Sequence, residues 1–265
     1  MSLSAVDSRI AAAKAAVASQ TKTLHAEFGK ARVEIKYDGT RVTNVDVAIS
    51  EAIQAAITTA FPEDQFFSEE LAVTAEPVPV TARFCWVLDP IDGTNNYANG
   101  IIYVSISLAL LENGVPIYGV IYDMARRVLM HGGPGRGVWD DGQPARVSES
   151  APHTHSLIGF HSPVEKSYAA EGKRLIENFK IRGLGSSALH LAYAAVGHLE
   201  GVVEHNNRIW DVAAAAAMIN EGGGEIHYLT PTPFPMTAFW LKSPRVQYVA
   251  GNRTMCARLH EILER

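Results

Sequence analysis

Acidic side chains stand at a set of places where a folded chain can aim them at one point. Glu69 and Glu70 close the run FFSEE. Asp89 and Asp92 bracket Pro90 and Ile91 in WVLDPIDGTNNYANG, residues 86–100, and Asp211 opens IWDVAAAAAMINEGGG, residues 209–224. Asp46, in the first turn of a helix that begins near Asn44, is a sixth. A residue before proline is pushed toward extended backbone, so Asp89 belongs to the strand rather than to the turn after it. Pro90 has no N–H, the Ile91 carbonyl is left without an obvious backbone partner, and Asp92 is placed to cap a short helix starting at Gly93-Thr94. Clustered hard oxygens suit Mg²⁺ or Mn²⁺, and free amides at a helix start suit a phosphate. Each signal also has an ordinary reading. Asp-Pro and Asp-Gly are turn dipeptides, an acid before an alanine-rich helix caps it, and Glu69-Glu70 alone is a solvated strand end. The metal reading rests on all three recurring in one chain.

The elements that must carry these residues follow from periodicity. Residues 3–28 read as a helix stopped by Gly29. RVEIKYDG alternates as a strand and turns at Asp38-Gly39, and a helix over 44–60 buries Val45, Ile49, Ile53 and Ile57. AEPVPV is a proline-rich connector into the strand that ends at Asp89. YVSISLALLENGVPIYGVIYD gives two strands about Asn113-Gly114, a hairpin signal, and RVLMHGG and RGVWDDG continue the antiparallel pattern. Beyond residue 150 strands and helices alternate: SLIGF, a helix over 164–178, FKIRGL, a helix over 187–198, GVVEH, a helix over 211–221, a further strand and a C-terminal helix. The expected class is mixed α+β and α/β. An α+β half over 1–150 carries most of the candidate ligands, and an α/β half over 151–265 carries Asp211, the two forming one compact unit.

The 265 residues suffice for a substantial core. A net charge of −5 argues against nucleic acid or an anionic membrane as the main partner. Two cysteines, Cys85 and Cys256, make no disulfide framework and fit a reducing compartment. Nothing supplies about 18 unbroken apolar residues or a signal-peptide core, so the expected location is the cytoplasm.

Taken together, FFSEE, WVLDPIDGTNNY and IWDVAAAAAMINEGGG resemble the inositol monophosphatase family of Mg²⁺-dependent, lithium-sensitive phosphatases. The likeness runs from KYDGTRVTNVD, residues 36–46, to the closing YVAGN and its helix. It implies a layered α/β/α/β/α sandwich of the inositol monophosphatase and fructose-1,6-bisphosphatase type, two to three Mg²⁺ ions with Mn²⁺ as a substitute, and a homodimer. By position, Glu69, Asp89 and the Ile91 carbonyl resemble the ligands of one metal, and Asp89, Asp92 and Asp211 those of a second. Asp46 matches a position linked to a third ion. Thr94 matches the residue that aims the attacking water with Glu69, and the Gly93 and Thr94 amides match the phosphate cradle. Glu204, seven residues before Asp211, and the GSSA turn with Ser186 and Ser187 match the substrate side.

The implied reaction is in-line hydrolysis of a small polyol or sugar phosphate, inositol monophosphate first. Histidinol phosphate, fructose 1,6-bisphosphate and 3′-phosphoadenosine 5′-phosphate are alternatives, and a non-catalytic regulatory relative is another class. Four acids, Glu69, Asp89, Asp92 and Asp211, carry about −4, which two divalent ions neutralise. That answers how a net-negative chain accepts an anionic ester. Rival phosphatase chemistries do not fit. Asp89 and Asp92 are not spaced as D-x-D, and Ile91 and Ile262 stand six residues after the cysteines, where a cysteine phosphatase needs arginine.

Lys36 reads equally as an anion partner or an exposed strand end. His153 and His155 have metal-ligand spacing without a third ligand nearby, which favours a surface loop. GGPGRG, residues 132–137, reads as a hairpin turn rather than a nucleotide loop. Gly222 to Gly224 end a helix. Trp210 reads as packing that fixes Asp211. EHNNR, residues 204–208, leaves the substrate open.

Overall fold

The computed structural model describes residues 4–35, 41–71 and 76–264. Lys36 and the Asp38-Gly39 turn lie outside the described residues. The first half opens with helix α1 (Ala5–Ala26), strands β1 (Val33–Ile35) and β2 (Arg41–Thr43), and helix α2 (Asn44–Ala60). Strands β3 (Gln65–Ser68), β4 (Val78–Pro79) and β5 (Phe84–Asp92) lead to the short helix α3 (Thr94–Ala98). Strands β6 (Ser105–Glu112), β7 (Val115–Asp123), β8 (Val128–Gly132), β9 (Val138–Asp140) and β10 (Gln143–Ala145) follow.

The second half runs β11 (Leu157–Phe160), α4 (Ala169–Asn178), β12 (Lys180–Arg182), α5 (Ser187–Ala195), β13 (Gly201–Asn207) and α6 (Ile209–Ile219). It closes with β14 (Glu225–Tyr228), β15 (Ala238–Phe239), β16 (Val246–Gly251) and α7 (Arg253–Leu263).

Two large sheets result, one ordered β10-β9-β8-β7-β6-β5-β3 and the other β12-β11-β13-β16-β14. In the first, only the β3–β5 pair is parallel. The layers are α1 and α2, the seven-stranded sheet, α5 and α6, the five-stranded sheet, then α4 and α7. This is the expected α/β/α/β/α sandwich.

The alternation along β5 explains the unbroken apolar run before Asp89. Cys85 and Val87 face α6, while Phe84, Trp86 and Leu88 face α1 and α2, so both faces are buried. Asn113 and Gly114 turn the β6–β7 hairpin with φ of 51° and 77°, the paired left-handed geometry that an Asn-Gly turn supplies.

Three sequence expectations shift. The helix expected from 164 starts at Ala169, after a single 3-10 turn at Lys166–Tyr168. The helix expected to 198 ends at Ala195, before the left-handed Gly197. Part of the proline-rich connector is itself a strand, with Val78 opposite Phe239. Proline has no amide to donate to a ladder, so this pair stays short and outside the main sheets.

The alanines of α6 serve close packing. Ala213, Ala214 and Ala215 are buried, and a Cβ at Gly119 of β7 would stand 1.9 Å from the Ala214 carbonyl oxygen. Backbone meets backbone there, and the helix that carries Asp211 is pressed onto the sheet that carries Asp89. Gly119→Ala is expected to cost about 1–3 kcal/mol by overpacking, read as a lower urea midpoint with an unchanged slope. An unchanged midpoint would mean that α6 withdraws without penalty.

Candidate active site

The carboxylates are aimed by a defect in the β5 ladder. Asp89 pairs with Ser107 and Asp92 with Ser105, so the register with β6 shifts at Pro90-Ile91. Such a bulge re-aims side chains at a strand end. The Asp89 carboxylate accepts the Ile91 amide at 3.1 Å. Gly93 then takes φ 94°, and a Cβ there would press on the Tyr103 and Gly185 carbonyls at 3.0 and 3.1 Å, so only glycine fits this turn.

Asp92 does not cap α3, contrary to the sequence expectation. The N-cap is Gly93, and no side chain caps the first turn. The strand geometry carries the Asp92 carboxylate instead to the start of α5, where it accepts from the Ser186 hydroxyl and from the Ala188 amide at 2.8 Å. A helix N-terminus favours a negative charge there. Asp211 is not the first residue of its cap either. Arg208 is the N-cap, and its amide donates to the Asp211 carboxylate at 2.6 Å.

These constraints bring one oxygen each of Asp89, Asp92 and Asp211 within 4.8 Å of one another. They line a pocket of about 230 Å³ together with Glu69, Ile91, Gly93, Thr94 and Trp210. Burial, followed by the charges of Glu69 and Asp92, pushes Asp89 well above the usual carboxylate range. Burial and then Asp92 do the same to Asp211. Asp92 is raised by burial, partly opposed by its hydrogen bonds from Ser186 and Ala188. Acids crowded until they resist ionisation form a site that calls for a cation. The donors are all hard oxygens, which fits a Mg²⁺-like ion better than a soft one.

A family model described as the inositol monophosphatase family matches residues 5–264. The chain belongs to this family. Inositol monophosphatase 1 of Sus scrofa is 30% identical over 205 residues, 74% of this chain and 73% of that one. Nus factor SuhB of Xylella fastidiosa is 30% identical over 253 residues, 92% and 86% of the two chains. Among solved structures, the Thermotoga maritima IMPase superposes with a TM-score of 0.83 at 26% identity, covering 97% of each chain. Membership supports a phosphatase of the inositol monophosphatase superfamily, whose acidic cluster is able to hold metal.

Of the other residues singled out by this family resemblance, Thr94 lines the pocket, while Asp46, Ser186, Ser187 and Glu204 do not. Thr94 donates its hydroxyl to the Ile91 carbonyl at 2.9 Å or to Asp46 at 3.3 Å. Asp46 stands behind Thr94, with one oxygen accepting from the Thr43 amide and hydroxyl in a capping box. Ser186 bonds Asp92 and caps α5, and Ser187 follows it at the helix start. Glu204 is not on the pocket wall. It is 0% exposed, with His190 Nδ1 at 2.6 Å and His161 Nδ1 at 3.3 Å. Burial pushes its pKa up, but the two histidines outweigh that and hold it below the usual range.

Asn96 escaped the sequence reading. Its side-chain amide donates to the Tyr103 and Leu184 carbonyls, both at 2.7 Å, stapling the Gly93 turn to the loop before Ser186. The arginines Arg41, Arg208 and Arg245 on the pocket wall also escaped it. The Arg-x-x-Asp spacing before α6 was the available signal for Arg208. Arg41 and Arg245 have none in sequence. Trp210 packs on Phe239, as expected, and also lines the pocket. His153 and His155 sit in an exposed loop, as their spacing without a third ligand implied.

Proposed function

We propose that the chain is a divalent-metal-dependent phosphomonoester hydrolase acting on a small polyol or sugar phosphate. The observation that carries this reading is the convergence of Asp89, Asp92 and Asp211 beside the uncapped first turn at Gly93-Thr94. Glu69, Asp89, the Ile91 carbonyl, Asp92 and Asp211 would hold the ions, preferably Mg²⁺. When bound, the ions supply charge neutralisation and the acidity that activates water. Glu69, on the pocket wall, would accept the water proton. Thr94 is oriented by its contacts with Ile91 and Asp46 and would aim that water. The Gly93 and Thr94 amides would receive phosphate oxygens. Asp46 would hold Thr94 in place.

Phosphate release from a panel of esters with Mg²⁺ tests the reading. Inositol monophosphate, a sugar bisphosphate, histidinol phosphate and a nucleoside bisphosphate would form the panel. Silence across it would support the non-catalytic alternative that the Nus-factor relatives raise.

Arg41 and Arg245, which also line the pocket, favour a narrower substrate within that class, an ester with a second anionic group. Two divalent ions already balance the four acids, so the guanidinium groups of Arg41 and Arg245 on the same wall exceed what one phosphate requires. Arg41→Ala and Arg245→Ala are expected to raise KM for a bisphosphate about tenfold, the worth of one charged hydrogen bond. KM for inositol monophosphate should move far less. Equal shifts for all esters would remove the second-anion reading and leave the phosphatase reading standing.

A further inference from the structure

A second cluster of metal-ligand residues lies at the opposite end of the second half and shares no residue with the pocket. Strand β14 is the edge of the five-stranded sheet. Its period of two puts Glu225 and His227 on one face. Helix α7 packs on β14 and β16, and Cys256 and His260, four residues apart, share one of its faces.

The two elements bring one ligand atom each of Glu225, His227 and Cys256 within 4.8 Å of one another. His227 stands between two partners. Its Nε2 lies 3.0 Å from Glu225 Oε2 and its Nδ1 lies 3.1 Å from His260 Nε2. The His227 and His260 rings stack with centroids 5.3 Å apart. The Cys256 thiol has only long contacts, 3.6 Å to the Glu225 carbonyl and 3.7 Å to the Gly251 carbonyl.

We propose that Glu225, His227 and Cys256 bind a borderline-soft divalent metal ion, Zn²⁺ or Co²⁺, that ties the C-terminal helix to the edge strand. Carboxylate oxygen, imidazole nitrogen and thiolate sulfur form a donor set that these ions take tetrahedrally with water in the fourth place, and that Mg²⁺ does not take. His227 Nε2 faces the carboxylate and ligates. Nδ1–H donates to His260, which fixes the tautomer as the outer partner of a metal-bound imidazole does.

Arg253 donates to the other Glu225 oxygen at 2.8 Å and orients the carboxylate from the exposed side. Burial pushes the Cys256 thiol up to about 12, so the metal displaces a proton from sulfur to solvent as the metal–sulfur bond forms. Without metal the same groups make a polar chain from Arg253 through Glu225 and His227 to His260, and the experiment separates that state from a metal site.

Metal-stripped full-length protein titrated with Co²⁺ alone should develop a thiolate-to-cobalt charge-transfer band that saturates at one ion per chain. Zn²⁺ should bleach the band and a large excess of Mg²⁺ should not. The acidic pocket contains no sulfur and cannot produce this band, so the readout is independent of activity. Cys85→Ser should keep the band. Cys256→Ser should lose it, and His227→Gln, at a half-exposed position that leaves the core intact, should weaken Co²⁺ binding at least about tenfold. A wild-type protein without the band, a band that survives Cys256→Ser, or unchanged Co²⁺ binding in His227→Gln overturns the proposal.

Discussion

Asp89→Asn is expected to lower phosphate release by about a thousandfold while leaving the metal-free protein at least as stable as the wild type, because a metal ion at the reacting phosphate is worth several kcal/mol of transition-state stabilisation. The two effects share one cause. The Asp89 carboxylate is buried with Glu69, Asp92 and Asp211 around it, and its pKa is raised by that burial and by those charges. Asparagine keeps the shape, and its oxygen still accepts the Ile91 amide now bonded at 3.1 Å. It removes a charge that the fold must otherwise hold against its neighbours. Asp89 is also the residue that resembles a ligand of both metals, so its loss weakens both at once. Activity by phosphate release and Tm by calorimetry without metal check the pair of outcomes. A variant that keeps a tenth or more of the activity would show that Asp89 does not hold the catalytic ions. One that loses both activity and stability would show that the carboxylate is structural.

Conflict of this kind is what the sequence displayed. An acid at the end of FCWVL has no reason in packing, and five buried residues followed by Asp89 were readable as a site because local preference and burial disagreed. The layers were readable for the opposite reason. The period in α2, the two strands β6 and β7 and the Asn113-Gly114 turn between them all agree with the fold that forms. What escaped was set by contacts between distant segments. Asp92 looked like a cap for α3 because the residue before Gly-Thr often is one, yet its true partners, Ser186 and Ala188, are more than ninety residues away.

Glu204 shows the same limit. Its distance from Asp211 matched a family pattern, but the bulge between Glu204 and Asn207 and the two histidines around it decide where the side chain goes. Arg41 and Arg245 reach the pocket wall from separate strands and loops, and no spacing announces that. The Glu225, His227 and Cys256 cluster is legible only as two short periods, one on a strand and one on a helix. Neither is a signal until β14 and α7 are seen to pack together.

Removing divalent metal is expected to abolish activity and to destabilise the protein more at pH 8 than at pH 5. The sign follows from the acids of the pocket. Asp89, Asp92 and Asp211 all have folded-state pKa values raised above the unfolded value of 3.8. In the metal-free protein the folded state therefore holds protons that the unfolded state has released. Stability from these groups is fully present below the unfolded pKa and is lost as pH rises through the raised folded values.

A bound divalent ion replaces those protons, and the cost disappears. Mg²⁺ should accordingly raise Tm by roughly 5–10 °C at a hundred times its dissociation constant near pH 8, from a stabilisation of about 2.7 kcal/mol in a chain of this size. Near pH 5 protons compete for the same oxygens and the gain should shrink. The quantity to measure is Tm with Mg²⁺ minus Tm of the stripped protein at each pH. Groups that do not meet the metal, such as Glu204 with its depressed pKa, cancel in that difference. Adding back Mg²⁺ alone leaves the cysteine-containing cluster empty, because its donors are too soft for that ion. A difference that stays flat or falls from pH 5 to pH 8 would mean that the raised acids of β5 and α6 are not the groups the ion neutralises.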